Sequence, residues 1–260
     1  MASEIFMSDL LDRASFVLVS PSHPGNLGAS ARALATMGFA RLVVAESSLV
    51  TMHLDEQAVA MAAGASHVLD YVQYQGLENA LAPTRWSLAL TARPREFEPP
   101  RLGLEQAMEE AVDALLASPN ESIAIVFGAE RSGLSNEQLM RCSRVCGLDV
   151  SERFGSLNLA QAVQLVSYAL RRAIRARGHL VPSLAQVSGP GRATAVPATH
   201  AAVEGLHDHL MRLAHRAGTL DPANPGRMDE RLRRLFARAG LLEDEVQMLR
   251  GLCSDLEKNL

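Results

Sequence analysis

Apolar runs alternate with amphipathic stretches through the first two-thirds of the chain. "SFVLVS" (15–20) holds Phe16, Val17, Leu18 and Val19 in succession, the pattern of a buried strand. The Gly- and Pro-rich "PSHPGNLG" reads as a loop, and "ASARALATMG" as a helix closed by Gly38. "ARLVVAES" predicts the next strand, "DEQAVAMAAGAS" a helix ending at Gly64, and "HVLDYV" a further short strand. "RWSLALTA" is again a strand. "GLEQAMEEAVDALLAS" is a helix, because Leu104, Ala107, Met108, Ala111 and Leu115 recur on one face. "SIAIVFG" predicts a strand, and "SNEQLMRC" a helix with a capping serine and an acid in its first turn. "RVCGLDV" reads as the last strand. The alternation places the chain in the α/β class, with a mainly parallel sheet covered by helices on both faces.

The pattern then changes. Residues 178–200 carry Pro182, Pro190 and Pro197 among small polar residues and read as a linker. From Ala201 the periodicity is helical to the end. "AAVEGLHDHLMRLAHRAG" stops at Gly218, "MDERLRRLFARAG" stops at Gly240, and "EDEVQMLRGLCSDLEKN" follows. The expected organisation is a domain over 1–177, a linker over 178–200 and a helical domain over 201–260. Arg227, Arg231, Arg234 and Arg238 are spaced four, three and four, so they share one helical face; Leu232, Leu235, Phe236 and Ala239 fall on another.

Composition narrows the classes. Of 260 residues, 48% are hydrophobic and 21% charged, enough for a sizeable core. Aromatics are only 4%, which disfavours base stacking as a main binding mode. A net charge of -4 means that any polyanion must meet basic groups gathered on one face. Cys142, Cys146 and Cys253 make no paired CxxC units, which argues against a disulfide framework and a zinc ribbon. The four-residue spacing of Cys142 and Cys146 suits one face of a helix or its exit, and both read as core cysteines; no metal site is expected. The acidic start "MASEIFMSDLLDR" is no secretory signal, no apolar run reaches membrane-span length, and the expected compartment is the cytoplasm.

In an open parallel sheet, ligands bind outside the carboxyl ends of the strands. Three predicted strands end in small or polar residues there: "LALTAR", "IVFGAE" and "GLDVSERFGS". Gly128 and Gly155 would let backbone approach a ligand, although each stretch alone also reads as an ordinary turn. "GNLGASAR" lacks the third glycine of a dinucleotide fingerprint, and "GAERSGLS" lacks the Lys-Ser/Thr of a P-loop. A nucleotide-cofactor enzyme of either kind is disfavoured.

Taken together, "NLGASARALATMGF" (26–39), "IVFGAERSGLSNEQL" (125–139) and "SLNLAQAVQLVSYALRR" (156–172) resemble, in order, the three signature motifs of the SPOUT RNA 2'-O-methyltransferases. "AMAAGAS" (60–66), "TAR" (91–93) and the tail "RLRRLFARAG" are similar to the bacterial TrmJ branch. The resemblance covers nearly the whole chain except the linker. It implies an α/β-knot fold, a parallel sheet with a carboxyl-terminal trefoil knot, plus a small all-helical C-terminal domain. It also implies S-adenosyl-L-methionine as methyl donor, a homodimer whose active site is completed across the interface, and a tRNA substrate. The activity implied is 2'-O-methylation of cytidine or uridine at nucleotide 32 of the anticodon loop. The alternatives are a SPOUT enzyme acting on another tRNA or ribosomal RNA nucleotide, and a catalytically silent RNA-binding paralogue.

The same resemblance assigns residues. Leu90, Thr91, Ala92, Gly128, Leu148, Gly155, Ser156 and Leu157 match the donor loops, with Leu148 and Leu157 flanking the adenine. Arg32, Ser156 and Asn158 match catalytic positions. A guanidinium keeps its proton at neutral pH, so Arg32 is expected to act electrostatically rather than as a base. Ser156 and Asn158 read locally as helix-capping residues as well. Glu130 is expected to fix an arginine of the partner subunit. Arg93, Arg95, Arg131, Arg231 and Arg234 are expected to meet RNA. Phe154 stands where relatives can carry Tyr, Thr91 stands where Ser can occur, and Pro94 stiffens the loop after Arg93.

Overall fold

The computed structural model describes residues 9–117, 119–151, 153, 155–178, 196–220 and 226–258. Phe154 and most of the Pro-rich stretch 178–200 lie outside them. Seven strands form one sheet: β1 (Ala14–Val19), β2 (Arg41–Ala45), β3 (Gln73–Gln75), β4 (Thr84–Leu90), β5 (Arg101–Leu102), β6 (Ser122–Phe127) and β7 (Arg144–Cys146). Their order is β3-β2-β1-β6-β4-β7-β5, and every pairing is parallel.

The centre of this sheet is dry on both sides. β1 and β6 are buried at every position, in keeping with their apolar runs Phe16–Val19 and Ile123–Phe127. Successive side chains go to opposite faces. Phe16, Leu18, Ile125 and Phe127 enter one core cluster, whereas Val17, Val19, Ala124 and Val126 enter the other. Each such burial is worth roughly 1.5–3 kcal/mol, so these strands carry much of the fold.

Helices cover both faces. On one lie α1 (Pro24–Thr36), α2 (Glu56–Ala62), α3 (Ser66–Leu69), α5 (Leu104–Ala117) and α7 (Leu159–Gly178). On the other lie α4 (Leu77–Leu81) and α6 (Asn136–Met140). Three further helices end the described chain: α8 (His200–Arg216), α9 (Met228–Ala239) and α10 (Glu243–Glu257).

Several local expectations need correction. The loop "PSHPGNLG" ends early, because Pro24 already sits in the first turn of α1, where its missing N–H costs nothing. Gly28 therefore lies inside a helix. It belongs there because a Cβ would come within 1.9 Å of the Ala58 carbonyl oxygen, so glycine alone lets α1 and α2 pack this closely. "HVLDYV" is not a strand: α3 buries Val68 and Leu69, and the polar "QYQ" that follows is the edge strand β3. β7 stops at Cys146, leaving "GLDV" as loop. Cys142 follows α6 and Cys146 lies in β7, so they do not share a helix face; burial pushes their thiols up to about 12 and about 11. On α9, Leu235 and Ala239 face solvent, and the packed side is Leu232 and Phe236.

The three tail helices pack around Leu206, Leu213, Phe236, Val246 and Cys253. They meet the amino-terminal parts of β4 and β7 along a polar seam. His200 Nε2 lies 2.8 Å from Ser87 Oγ and 3.3 Å from Ser143 Oγ. Burial pushes the His200 pKa down to about 4, so the ring is neutral there. Arg85 pairs with Glu121 and donates to Glu243 at 2.7 Å, and Arg144 Nη1 donates to the Ala237 carbonyl at 2.8 Å. A largely apolar cavity of about 420 Å³ runs along this seam, away from the carboxyl ends of the strands.

Candidate active site

The carboxyl ends of β4, β6 and β7 feed three loops that enclose a second cleft of about 250 Å³. Leu90, Leu148 and Leu157 give it apolar walls. Thr91, Ala92, Gly128, Gly155 and Ser156 line the rest with short side chains and backbone. Arg93, Arg95 and Arg131 stand on its rim. The shape depends on Gly128. A Cβ there would lie 2.2 Å from the Gly133 carbonyl carbon and 2.3 Å from the Leu134 nitrogen, because the loop folds back on itself through an Ala129–Gly133 bridge.

A hydrogen-bond clamp draws the three sequence motifs to the mouth of this cleft. Glu130 follows β6 and accepts from four donors: Ser22 N (2.9 Å), Ser22 Oγ (2.8 Å), His23 N (3.2 Å) and Asn26 Nδ2 (2.8 Å). Burial alone would raise the Glu130 pKa, but the bonds from Asn26 and Ser22 outweigh it and hold the carboxyl below its usual range. Asn26 in turn accepts from Asn158 Nδ2 at 2.8 Å through its Oδ1. Asn158 also caps α7, its Oδ1 accepting from Ala160 N at 2.9 Å. One side chain thus starts the helix and fastens it to the first turn of α1, 132 residues away. Ser156 is exposed beside it and lines the cleft.

Other expected positions lie away from the cleft or, in the case of Arg95, turn from it. Arg32 is exposed on α1 and does not line the cleft. Arg95 is tied inward, donating to Asn136 Oδ1 at 2.7 Å and to the Leu134 carbonyl at 3.1 Å. Arg231 and Arg234 are exposed on α9. Arg227 leaves their row and pairs with Glu96, while Arg233 between them turns inward to Glu204 and Asp229. Ser22, His23 and Asn26 were not singled out by local reading. Their signal was indirect: an acid in the loop after β6, with no basic neighbour except Arg131, needs donors from elsewhere.

The motif order now has a spatial meaning, and comparison with known proteins gives it a family. The family model described as the SpoU rRNA methylase family matches residues 13–168, more than half the chain. The chain belongs to the SpoU methylase family. The model for the tRNA methyltransferase TrmJ C-terminal domain matches residues 201–260. A tRNA (cytidine/uridine/adenosine-2'-O-)-methyltransferase TrmJ of Pseudomonas aeruginosa is 36% identical over 250 residues, covering 96% of this chain and 95% of that one. A tRNA (cytidine/uridine-2'-O-)-methyltransferase TrmJ of Photorhabdus laumondii is 36% identical over 251 residues, covering 96% and 98%. The crystal structure of TrmJ from Z. mobilis superposes with a TM-score of 0.77 at 26% identity, over 94% of this chain and 99% of that chain. This SpoU-family chain therefore falls in the TrmJ branch. Its clamp residues are drawn from the segments that carry the family's motifs.

Proposed function

We propose that this chain is an S-adenosyl-L-methionine-dependent tRNA 2'-O-methyltransferase that modifies cytidine or uridine at nucleotide 32 of the anticodon loop. The observation that carries the reading is the Asn26–Glu130–Asn158 clamp, which fastens all three motifs around one cleft. The cleft suits the donor chemically. Leu148 and Leu157 offer apolar surface to an adenine, and the short side chains at Thr91, Ala92 and Gly128 let it come close to the backbone of their loops. When bound, S-adenosylmethionine supplies an electrophilic methyl group on a sulfonium.

The protein's task is alignment and exclusion of water, since methyl transfer needs little covalent help. Ser156 and Asn158 hold ribose hydroxyls at the cleft mouth. Glu130 fixes the loop that brings Asn26 to Asn158. Arg32 stabilises the developing ribose oxyanion or a neighbouring phosphate, and the proton leaves to phosphate or water. Because Arg32 lies outside its own chain's cleft, the reading includes a homodimer in which a second copy delivers it. Arg93, Arg131, Arg231 and Arg234 meet RNA phosphates, which position without reading sequence.

The reading also takes in the trefoil knot near the third motif, a cytoplasmic setting, and the division into 1–177, 178–200 and 201–260. Among the described residues no helix is long and apolar enough to cross a membrane. The test is nucleoside mass spectrometry of tRNA incubated with the protein and labelled donor. Label should appear as a 2'-O-methyl nucleoside; label on a base, or no label in any RNA, would overturn the reading.

A further inference from the structure

Thr91, Ala92, Arg93 and Arg95 form one wall of the cleft, and the segment 91–98 that carries them continues past it through Glu96 and Phe97. This segment has no helix or strand of its own, so side chains must hold it in place. Glu98 gathers its near end, accepting from Arg95 N at 3.0 Å and from Arg101 Nε at 2.7 Å. Arg95 ties it to α6. The third restraint comes from the tail. Arg227, the N-cap residue of α9, sets its guanidinium carbon 4.4 Å from the centroid of the Phe97 ring, and its Nη1 lies 3.0 Å from Glu96 Oε1. The contact spans 131 residues of sequence.

We infer that Arg227 is a positioning residue for the methyl donor: through Phe97 and Glu96 it pins against the tail the segment 91–98, whose first half walls the cleft. This rests on the donor reading of the cleft given above. A wall without a backbone ladder samples open arrangements, and donor affinity falls with the fraction of molecules in which it is closed. Arg227 is half exposed, so the ion pair alone is weak, and the stacked guanidinium supplies most of the pin. The same helix presents Arg231, Arg234 and Arg238 to solvent. Charge that meets RNA and the pin that shapes the donor wall thus share one rigid element.

The test uses the full chain and titrates S-adenosylhomocysteine, without RNA, by calorimetry. Arg227→Ala should weaken binding about three- to tenfold, and Arg227→Lys, which keeps a cation over Phe97, should restore most of it. Arg238→Ala, exposed at the far end of the same helix, should bind as wild type does. In turnover, Arg227→Ala should raise KM for the donor and leave kcat at saturating donor unchanged, a split that general loss of folded protein does not produce. Should Arg227→Ala fold poorly, Phe97→Leu tests the same pin from the other side. Equal affinity in wild type, Arg227→Ala and Phe97→Leu overturns the inference and leaves the donor reading intact; so does a Lys variant as weak as the Ala variant. Wild type that fails to bind at all overturns both.

Discussion

Two polar assemblies join distant parts of this chain, and they are built from different chemistry. At the cleft, a single carboxylate collects donors from backbone, hydroxyl and amide groups, and no basic side chain takes part. At the tail seam, a neutral histidine sits between two serines beside arginine–glutamate pairs. The clamp is directional and holds loops to within hydrogen-bond tolerance. The seam is ionic in part, and ion pairs near a surface weaken with salt. A site that must align three reacting atoms is held by the first kind of assembly, and a docked accessory element by the second. Variants can separate the two.

The largest effect is expected at Gly128. Gly128→Val would drive a side chain into backbone already 2.2 Å from the Cβ position, so the loop must move. Donor binding should vanish in titration, while the tail, which lies off this loop, should keep its protection in hydrogen exchange. Loss of protection throughout would mean that the cleft and tail are not separable.

Next comes Glu130→Ala. It removes the acceptor of four hydrogen bonds and frees Asn26 from one side. Leaving such donors unpaired is costly, and kcat/KM should fall about tenfold or more. Methylation kinetics at unchanged donor occupancy check this, and wild-type rates would remove the clamp from the mechanism.

Acid should part the two assemblies. The His200 ring is held at about 4 instead of 6.5, so between these values the unfolded or undocked state takes up the proton first. The seam is therefore fully stabilised above 6.5 and weakens progressively as pH falls toward 4. Glu130 responds in the same direction but at lower pH: its pKa lies below the ordinary 4.5, so its contribution is complete above that value and disappears only as pH drops through the lowered pKa. Hydrogen exchange at falling pH should show α8–α10 opening before the 22–26 loop does, and His200→Gln should flatten the tail's response.

The smallest effect concerns RNA alone. Arg231→Ala with Arg234→Ala removes two exposed charges from α9. Binding of tRNA should weaken, and the slope of log affinity against log salt should shrink by roughly 1.8 if both meet phosphate in duplex-like RNA. Donor affinity should not move.

The sheet was largely legible in advance, for a physical reason. Strands buried on both faces must be mainly apolar, and the runs Phe16–Val19 of β1, Leu88–Leu90 of β4 and Ile123–Phe127 of β6 show this without any knowledge of their neighbours. Edges were less legible: β3 and β5 are short and partly polar, so tertiary position rather than composition makes them strands. The start of α1 was hidden because its glycines look like loop until Ala58 is placed against Gly28. At the site, the glycine and leucine positions could be named from motifs. The pairing of Glu130 with Ser22, His23 and Asn26 could not, since nothing in local spacing links residues more than 100 apart. Arg227 was misread for a related reason: its helical spacing puts it in the basic row, but as the N-cap residue it turns to Phe97.

The most direct test of the central claim uses two anticodon-stem transcripts that differ in one atom, one with ribose and one with 2'-deoxyribose at nucleotide 32. With labelled donor, the protein should methylate the first and leave the second blank. Equal label in both transcripts would contradict the account.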